Sequence, residues 1–208
     1  ETRNAYGRFY EQHADWYAGR SSHARVGILY DYDNVHMENT YHIREVYALA
    51  HYCADNHILF DLFNEANVTL DELRRFNAVI IPHVEFLSAA GRNAILEYAA
   101  GGGKVLITGN TGVFDQHGRP VAANDAIERI RAAVWPDAPY AREGNIAAIG
   151  DIFQLLPKRV KEIHDIVDIN PQGLFEKGVY DEIVEASKRE THNDARLATL
   201  LSELAGFD

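Results

Sequence analysis

Four short runs of apolar residues recur along the first half of the chain, and segments with helical spacing separate them. Residues 25–30 (RVGILY), 57–63 (HILFDLF), 77–82 (NAVIIP) and 104–108 (KVLIT) have strand length and are bounded by polar turns. Between the first two runs, Ile43, Val46, Tyr47, Ala50 and Ala54 recur at three- and four-residue spacing, which predicts a helix over residues 40–54 with that stripe inward. Residues 69–72 (TLDE) form a capping box. The Thr69 hydroxyl is expected to accept from the Glu72 N–H while the Glu72 carboxylate reaches back, opening a short helix through Phe76. Ser88 is placed to cap a helix through Ala100, with Gly101 as its left-handed terminator.

Strands with unbroken apolar centres, alternating with helices, predict a parallel sheet covered on both faces. The expected fold class is therefore α/β, a doubly wound, flavodoxin-like or amidotransferase-like sheet over residues 24–150. The pattern changes on either side of it. In residues 1–23, Tyr6, Phe9, Tyr10, His13, Trp16 and Tyr17 fall on one helical face over residues 6–18. Residues 151–208 read as a helical extension, with Val160, Ile163, Ile166 and Val167 on one face and Leu197, Leu200, Leu201 and Leu204 on another.

Composition narrows the classes. The 208 residues carry 20 Lys and Arg against 31 Asp and Glu, a net charge of −11. Such a chain repels phosphate backbones and anionic bilayers, so neither nucleic acid nor membrane is an expected partner. The apolar runs are too short to span a bilayer. One cysteine, Cys53, excludes an internal disulfide and any multi-cysteine metal site, and its mid-helix position predicts an inert thiol. The chain opens at Glu1 with charges where a signal peptide would need an apolar stretch, as expected of a piece of a longer protein.

In open parallel sheets, ligands bind beyond the carboxyl ends of the strands. That rule selects residues 31–34 (DYDN), 64–65 (NE), 83–85 (HVE) and 109–112 (GNTG), with Asp31, Asn34, His83, Glu85, Asn110 and Thr111 as the candidate ligand-binding side chains. Further readings arise along the chain. In residues 28–35 (ILYDYDNV), Asp31 and Asp33 stand two apart, the spacing at which a phosphatase presents a nucleophile and an acid/base around Mg²⁺. Residues 105–111 would then serve as the phosphate loop and Asp151 as a second acidic group, although Lys104 is poorly placed for the lysine such hydrolases need. The ten histidines show no HxH or HExxH spacing, so no metal centre is expected of them. The Gly101 to Gly103 run follows a helix and precedes a strand, the reverse of a phosphate cradle, and reads as a helix stop.

Taken in order, ARVGILY, the helix over 40–54, HILFDLFNE, the stretch LDELRRFNAVIIPHVEFLSAAGRNAILEYAAGGGKVLITGNTG and then FDQHGRP resemble a known domain. It is the class I glutamine-amidotransferase-like domain inside glycoside hydrolases of the trimeric β-galactosidase type, where it is the trimerisation domain. The likeness covers roughly residues 24–120, and RFYEQHADWYAGRSS resembles the end of the catalytic barrel that precedes it. Amidotransferases place a Gly-x-Cys-x-Gly turn after the strand matching residues 78–81. Here residues 82–86 read PHVEF, with no thiol and no late His-x-Glu pair, so that chemistry lacks its nucleophile. The resemblance implies a non-catalytic domain of a larger glycoside-hydrolase-like protein, serving oligomerisation and shaping the edge of a carbohydrate site. Its implied partners are the parent's catalytic domain and further copies of the chain, and no cofactor is implied. Self-association through the aromatic helix and the leucine face of the tail is expected. The alternatives are the Mg²⁺-dependent phosphatase and a sugar- or small-molecule-binding module.

Overall fold

The structure is a computed structural model, and it describes residues 2–122, 124–134 and 140–150. The expected helical extension over 151–208 lies outside the described residues. The helix α1 spans Thr2–Gln12 and α2 spans Ala14–Tyr17, with a break at His13. Then follow β1 Val26–Leu29, α3 Tyr32–His36, α4 Thr40–Asp55, β2 Phe60–Phe63, α5 Leu70–Leu73, β3 Ala78–Ile81, α6 Ala89–Ala100, β4 Lys104–Thr108, α7 Ala126–Val134, β5 Tyr140–Glu143 and β6 Ile146–Ile149. The six strands form one sheet in the order β2-β1-β3-β4-β6-β5. Every pairing is parallel except β5 with β6, an antiparallel hairpin at the edge.

Alternation along the strands sends side chains to two cores. Val26, Ile28, Ala78, Ile80 and Leu106 pack with α4 through Val46, Leu49, Tyr52 and Cys53. Leu29, Val79, Ile81, Val105 and Ile107 pack with Leu73 of α5, Ile95 and Tyr98 of α6, and Ile127 and Ile130 of α7. The sheet is thus buried on both faces, which is why β1, β3 and β6 are apolar at every position.

Several local expectations need correction. The inward face of α4 is His42, Glu45, Val46, Leu49, Tyr52 and Cys53, not the purely apolar stripe, and Tyr47 is half exposed. Counting apolar residues alone rotates the face away from two buried polar side chains. His57 and Ile58 belong to the end of α4 rather than to β2. His57 takes a positive φ of 56°, and the Ile58 N–H donates to the Cys53 carbonyl, the six-to-one bond of a helix stop. The same device ends α6 at Ala100, as expected, but the left-handed residue lies one position later. Gly102, not Gly101, is left-handed (φ 99°), and the Gly103 N–H donates to the Tyr98 carbonyl at 3.0 Å. Thr69 does accept from the Glu72 N–H (3.3 Å), but the Glu72 carboxylate pairs with Arg75, and α5 lasts one turn.

The helix α7 and the β5–β6 hairpin are not among the expected elements. Both have local signals: Asp125 accepts from the Glu128 N–H at 2.9 Å, and Gly144 with Asn145 makes the two-residue hairpin loop, Gly144 at φ 59°.

Candidate functional site

The sheet order reverses at β1, whose neighbours are β2 and β3. The loops after β1 and β3 therefore diverge around the position where such sheets take ligands. In this chain that crevice is stapled by side chains. Asn34 is fully buried. Its amide donates to the Asp31 carboxylate and to the Phe86 carbonyl (2.8 Å), and its Oδ1 accepts from the Asn39 amide (2.9 Å) and from the Phe86 N–H (3.2 Å). Four bonds exhaust an asparagine. His42, also fully buried, is the second staple. Its Nε2 accepts from the Asp31 N–H (2.9 Å), so the ring proton sits on Nδ1 and points at the Pro82 carbonyl (2.5 Å). Burial pushes the His42 pKa down to about 4, which keeps the ring neutral. A third link runs from the Asn39 amide to the His83 carbonyl (2.8 Å).

Two groups of titratable side chains flank the staples. On the β1–β2 side, Asp31, Asp33 and Glu65 each bring one carboxylate oxygen within 4.8 Å of the others. Oxygen donors at that spacing suit a hard divalent cation. Asp31, however, is 1% exposed. One of its oxygens accepts from the Asp33 N–H (2.9 Å) and the other from Asn34. Burial pushes its pKa up to about 6. Glu65 also accepts from the Ser88 N–H at 3.3 Å.

On the β3 side lies a group of which the sequence marks only two members, His83 and Glu85. His83 sits at φ 45°, a backbone region unfavourable for a residue with a Cβ. Its N–H donates to Thr108 Oγ1 (2.9 Å), Nδ1 lies 3.5 Å from Glu45 and Nε2 3.3 Å from Glu85. The ring stacks on Tyr41 with centroids 5.1 Å apart, and it lies so close over Gly109 that a Cβ there would collide with Nδ1. Burial opposes charge on this imidazole, but the carboxylates of Glu45 and Glu85 outweigh it and hold the pKa above its ordinary value. Glu45 is 2% exposed and also accepts from the Thr108 hydroxyl. Periodicity passes over Glu45 because it interrupts an apolar face. A charged residue three positions after a histidine on that face is the signal that could have found it.

The six candidate ligand-binding residues thus divide. Asp31 and Asn34 touch each other, and so do His83 and Glu85. Thr111 is fully buried and braces the β3 and β4 loops, accepting from the Val84 N–H (3.1 Å) and donating to the Thr108 carbonyl (2.7 Å). Asn110 is exposed at the turn. Asp151 lies outside the described residues, and among those described the strand order sets apart the loops that the phosphatase reading needs together. From β1 outward, the carboxyl ends of β4 and β6 lie two and three strand spacings away, about 10 and about 14 Å. Lys104 opens β4 at the amino end of the strands, opposite these loops. Both Asp31 oxygens already accept a hydrogen bond, and the side chain is buried away from solvent. Cys53 is buried in α4, and burial pushes its thiol up to about 12.

Two concavities lie at different distances from these loops. An aromatic groove of about 460 Å³ between Tyr30, Tyr32, Tyr47, Phe60 and Leu62 adjoins Asn64. A depression of about 420 Å³ around Arg74, Gly102 and Lys104 lies at the amino edge of the strands, away from them.

No family model and no curated protein matches the chain. Solved structures do. A β-galactosidase from Bifidobacterium adolescentis is 22% identical over 48% of this chain and 47% of its own, with a TM-score of 0.42. One from Bacillus circulans sp. alkalophilus is 17% identical over 51% and 16%, with a TM-score of 0.45. A β-galactosidase from the psychrophilic Marinomonas ef1 is 13% identical over 88% of this chain and 32% of its own, with a TM-score of 0.51. The chain spans less than half the length of each of these structures. At such identities the likeness is one of fold: this chain shares its α/β architecture with a part of the Marinomonas β-galactosidase.

Proposed function

We propose that the chain is a non-catalytic, amidotransferase-like and flavodoxin-like domain of a larger glycoside-hydrolase-like protein. Its role is oligomerisation and the shaping of a neighbouring carbohydrate site. The observation that carries the reading is the stapled switch point. Where a catalytic α/β sheet keeps an open crevice, Asn34 and His42 spend all their polar atoms tying the β1 loop to the β3 loop. The turn after β3 supplies His83 and Glu85 in place of a nucleophile. The strand order β2-β1-β3-β4-β6 supports the flavodoxin-like part, and the fold shared with part of a β-galactosidase supports the glycoside-hydrolase context.

Assembly is supported by the amino-terminal helices. Tyr6, Phe9, Tyr10, Trp16 and Tyr17 are each between 41% and 65% exposed, and the last four stack on one another or on His13 and Arg20. A face of that size is the kind that proteins bury against a partner. The domain division at about residues 23 and 150 belongs to the same proposal. The test is an assay of the pure chain on a chromogenic β-galactoside and on glutamine. The proposal expects no turnover of either, and hydrolysis that disappears with a substitution in the chain would overturn it.

A further inference from the structure

We propose that Glu45, His83 and Glu85 form a pH-responsive clip that fastens the loop after β3 to α4 and loosens it in alkaline solution. The reason lies in the count of protons. An imidazolium has two N–H donors, and the geometry offers each a carboxylate: Nδ1 faces Glu45 at 3.5 Å and Nε2 faces Glu85 at 3.3 Å. A neutral ring has one donor. Deprotonation leaves one carboxylate facing a ring lone pair.

The two carboxylates are unequal. The Glu45 side chain is 3% exposed and held by the Thr108 hydroxyl, whereas the Glu85 side chain is 25% exposed. The remaining proton therefore stays on Nδ1 against the buried charge, and Glu85 turns to water. The clip opens on its outer side.

Every element packed against the ring contributes. From α4, His83 meets Glu45 and the stacked Tyr41 ring, over which Arg44 lies at 5.8 Å, and its charge disfavours a second charge on His42. From β4 it meets the Thr108 hydroxyl and Gly109. From its own loop it meets Glu85. What the clip holds is the backbone that staples the switch point. The Val84 N–H donates to Thr111, the Phe86 N–H to Asn34 and the Leu87 N–H to the Phe114 carbonyl. The strained φ at His83 favours release once the ring loses its charge.

The sign follows from linkage. The folded pKa is raised, so the contribution is complete below the ordinary histidine value of about 6.5 and is lost as pH rises through the folded value. This device is independent of the proposed role, since it needs only the loop and α4.

The experiment uses the full chain with isotope-labelled histidine. NMR follows the His83 ring from about pH 5 to about pH 10, while amide exchange is read at Val84, Phe86 and Leu87 relative to α6. His83 is expected to titrate above about 6.5. Loop protection, corrected for intrinsic exchange, should fall severalfold from about pH 6 to about pH 9 as the ring loses its proton. In Glu85→Gln, whose side chain is partly exposed and whose folding is not at stake, the His83 pKa should drop and the loop protection should lose its pH dependence. A His83 that titrates at or below about 6.5, or a loop whose protection relative to α6 does not change with pH, would overturn the proposal.

Discussion

Asn34 shows how one side chain can decide what a site is for. Its four bonds join the β1 loop to the backbone of Phe86 and to Asn39, so Asn34→Ala leaves several buried groups without partners. Each such group costs about 1–3 kcal/mol, and we expect a loss of about 3 kcal/mol in urea unfolding. Asn110→Ala, in the exposed turn, should stay within about 0.5 kcal/mol of the parent. Asp31 and His42 make a second residue-scale prediction. Burial raises the Asp31 pKa to about 6, so Asp31 adds stability as pH falls from about 6 towards 4. Burial lowers the His42 pKa to about 4, so His42 removes stability over the same interval. The two slopes oppose each other. Asp31→Asn should therefore lose stability more steeply than the parent between about pH 6 and about pH 4, and parallel profiles in denaturant titrations would contradict it. That Asp31 and Asn34 belong together is legible from their three-residue spacing after a strand. That they face each other and not a ligand is not, because Phe86 lies 52 positions away from Asn34 and reaches it only through the β1–β3 pairing.

At the scale of elements, glycines separate packing from propensity. In β1, a Cβ on Gly27 would lie 2.7 Å from the Phe76 ring and 3.0 Å from Phe63. Gly27→Ala is expected to cost about 1–3 kcal/mol by overpacking that face of the sheet. Gly7 in α1 has nothing within 4 Å, so Gly7→Ala should instead stabilise its helix by about 0.5–1 kcal/mol. Circular dichroism would show more helix for the second and an earlier melt for the first. Gly103 belongs with Gly27: a Cβ there would collide with the Tyr98 ring, whose hydroxyl donates to the Phe76 carbonyl. In the sequence the three are the same residue type. Only the packing distinguishes a glycine that makes room for a ring from one that weakens a helix.

At the scale of the whole molecule, the exposed aromatic face of α1 and α2 stands against a net charge of −11. The charge keeps copies apart at long range, and the aromatic face attracts at contact. We expect an oligomer by light scattering at micromolar concentration that becomes more stable as salt screens the repulsion. Substituting Trp16 and Tyr17 with polar residues should shift it towards the 23.4 kDa monomer. A monomer at every salt concentration, unchanged by the substitutions, would remove the oligomerisation role.

The alternation of apolar runs and helical stripes determined that the chain is α/β with parallel neighbours, because burial on both faces needs uninterrupted apolar strands. Local chemistry likewise determined the caps at Thr69 and Ser88, which act within three residues. What only the tertiary structure decided was the strand order and therefore the company each loop keeps. The sheet order brings the β3 loop beside the β1 loop, α4 lays Glu45 against the end of β4, and His83 then stands between two carboxylates, one from α4 and one from its own loop. A helical stripe records which side chains are apolar. It does not record which polar ones are turned inward with them, because that depends on the partners that the sheet supplies.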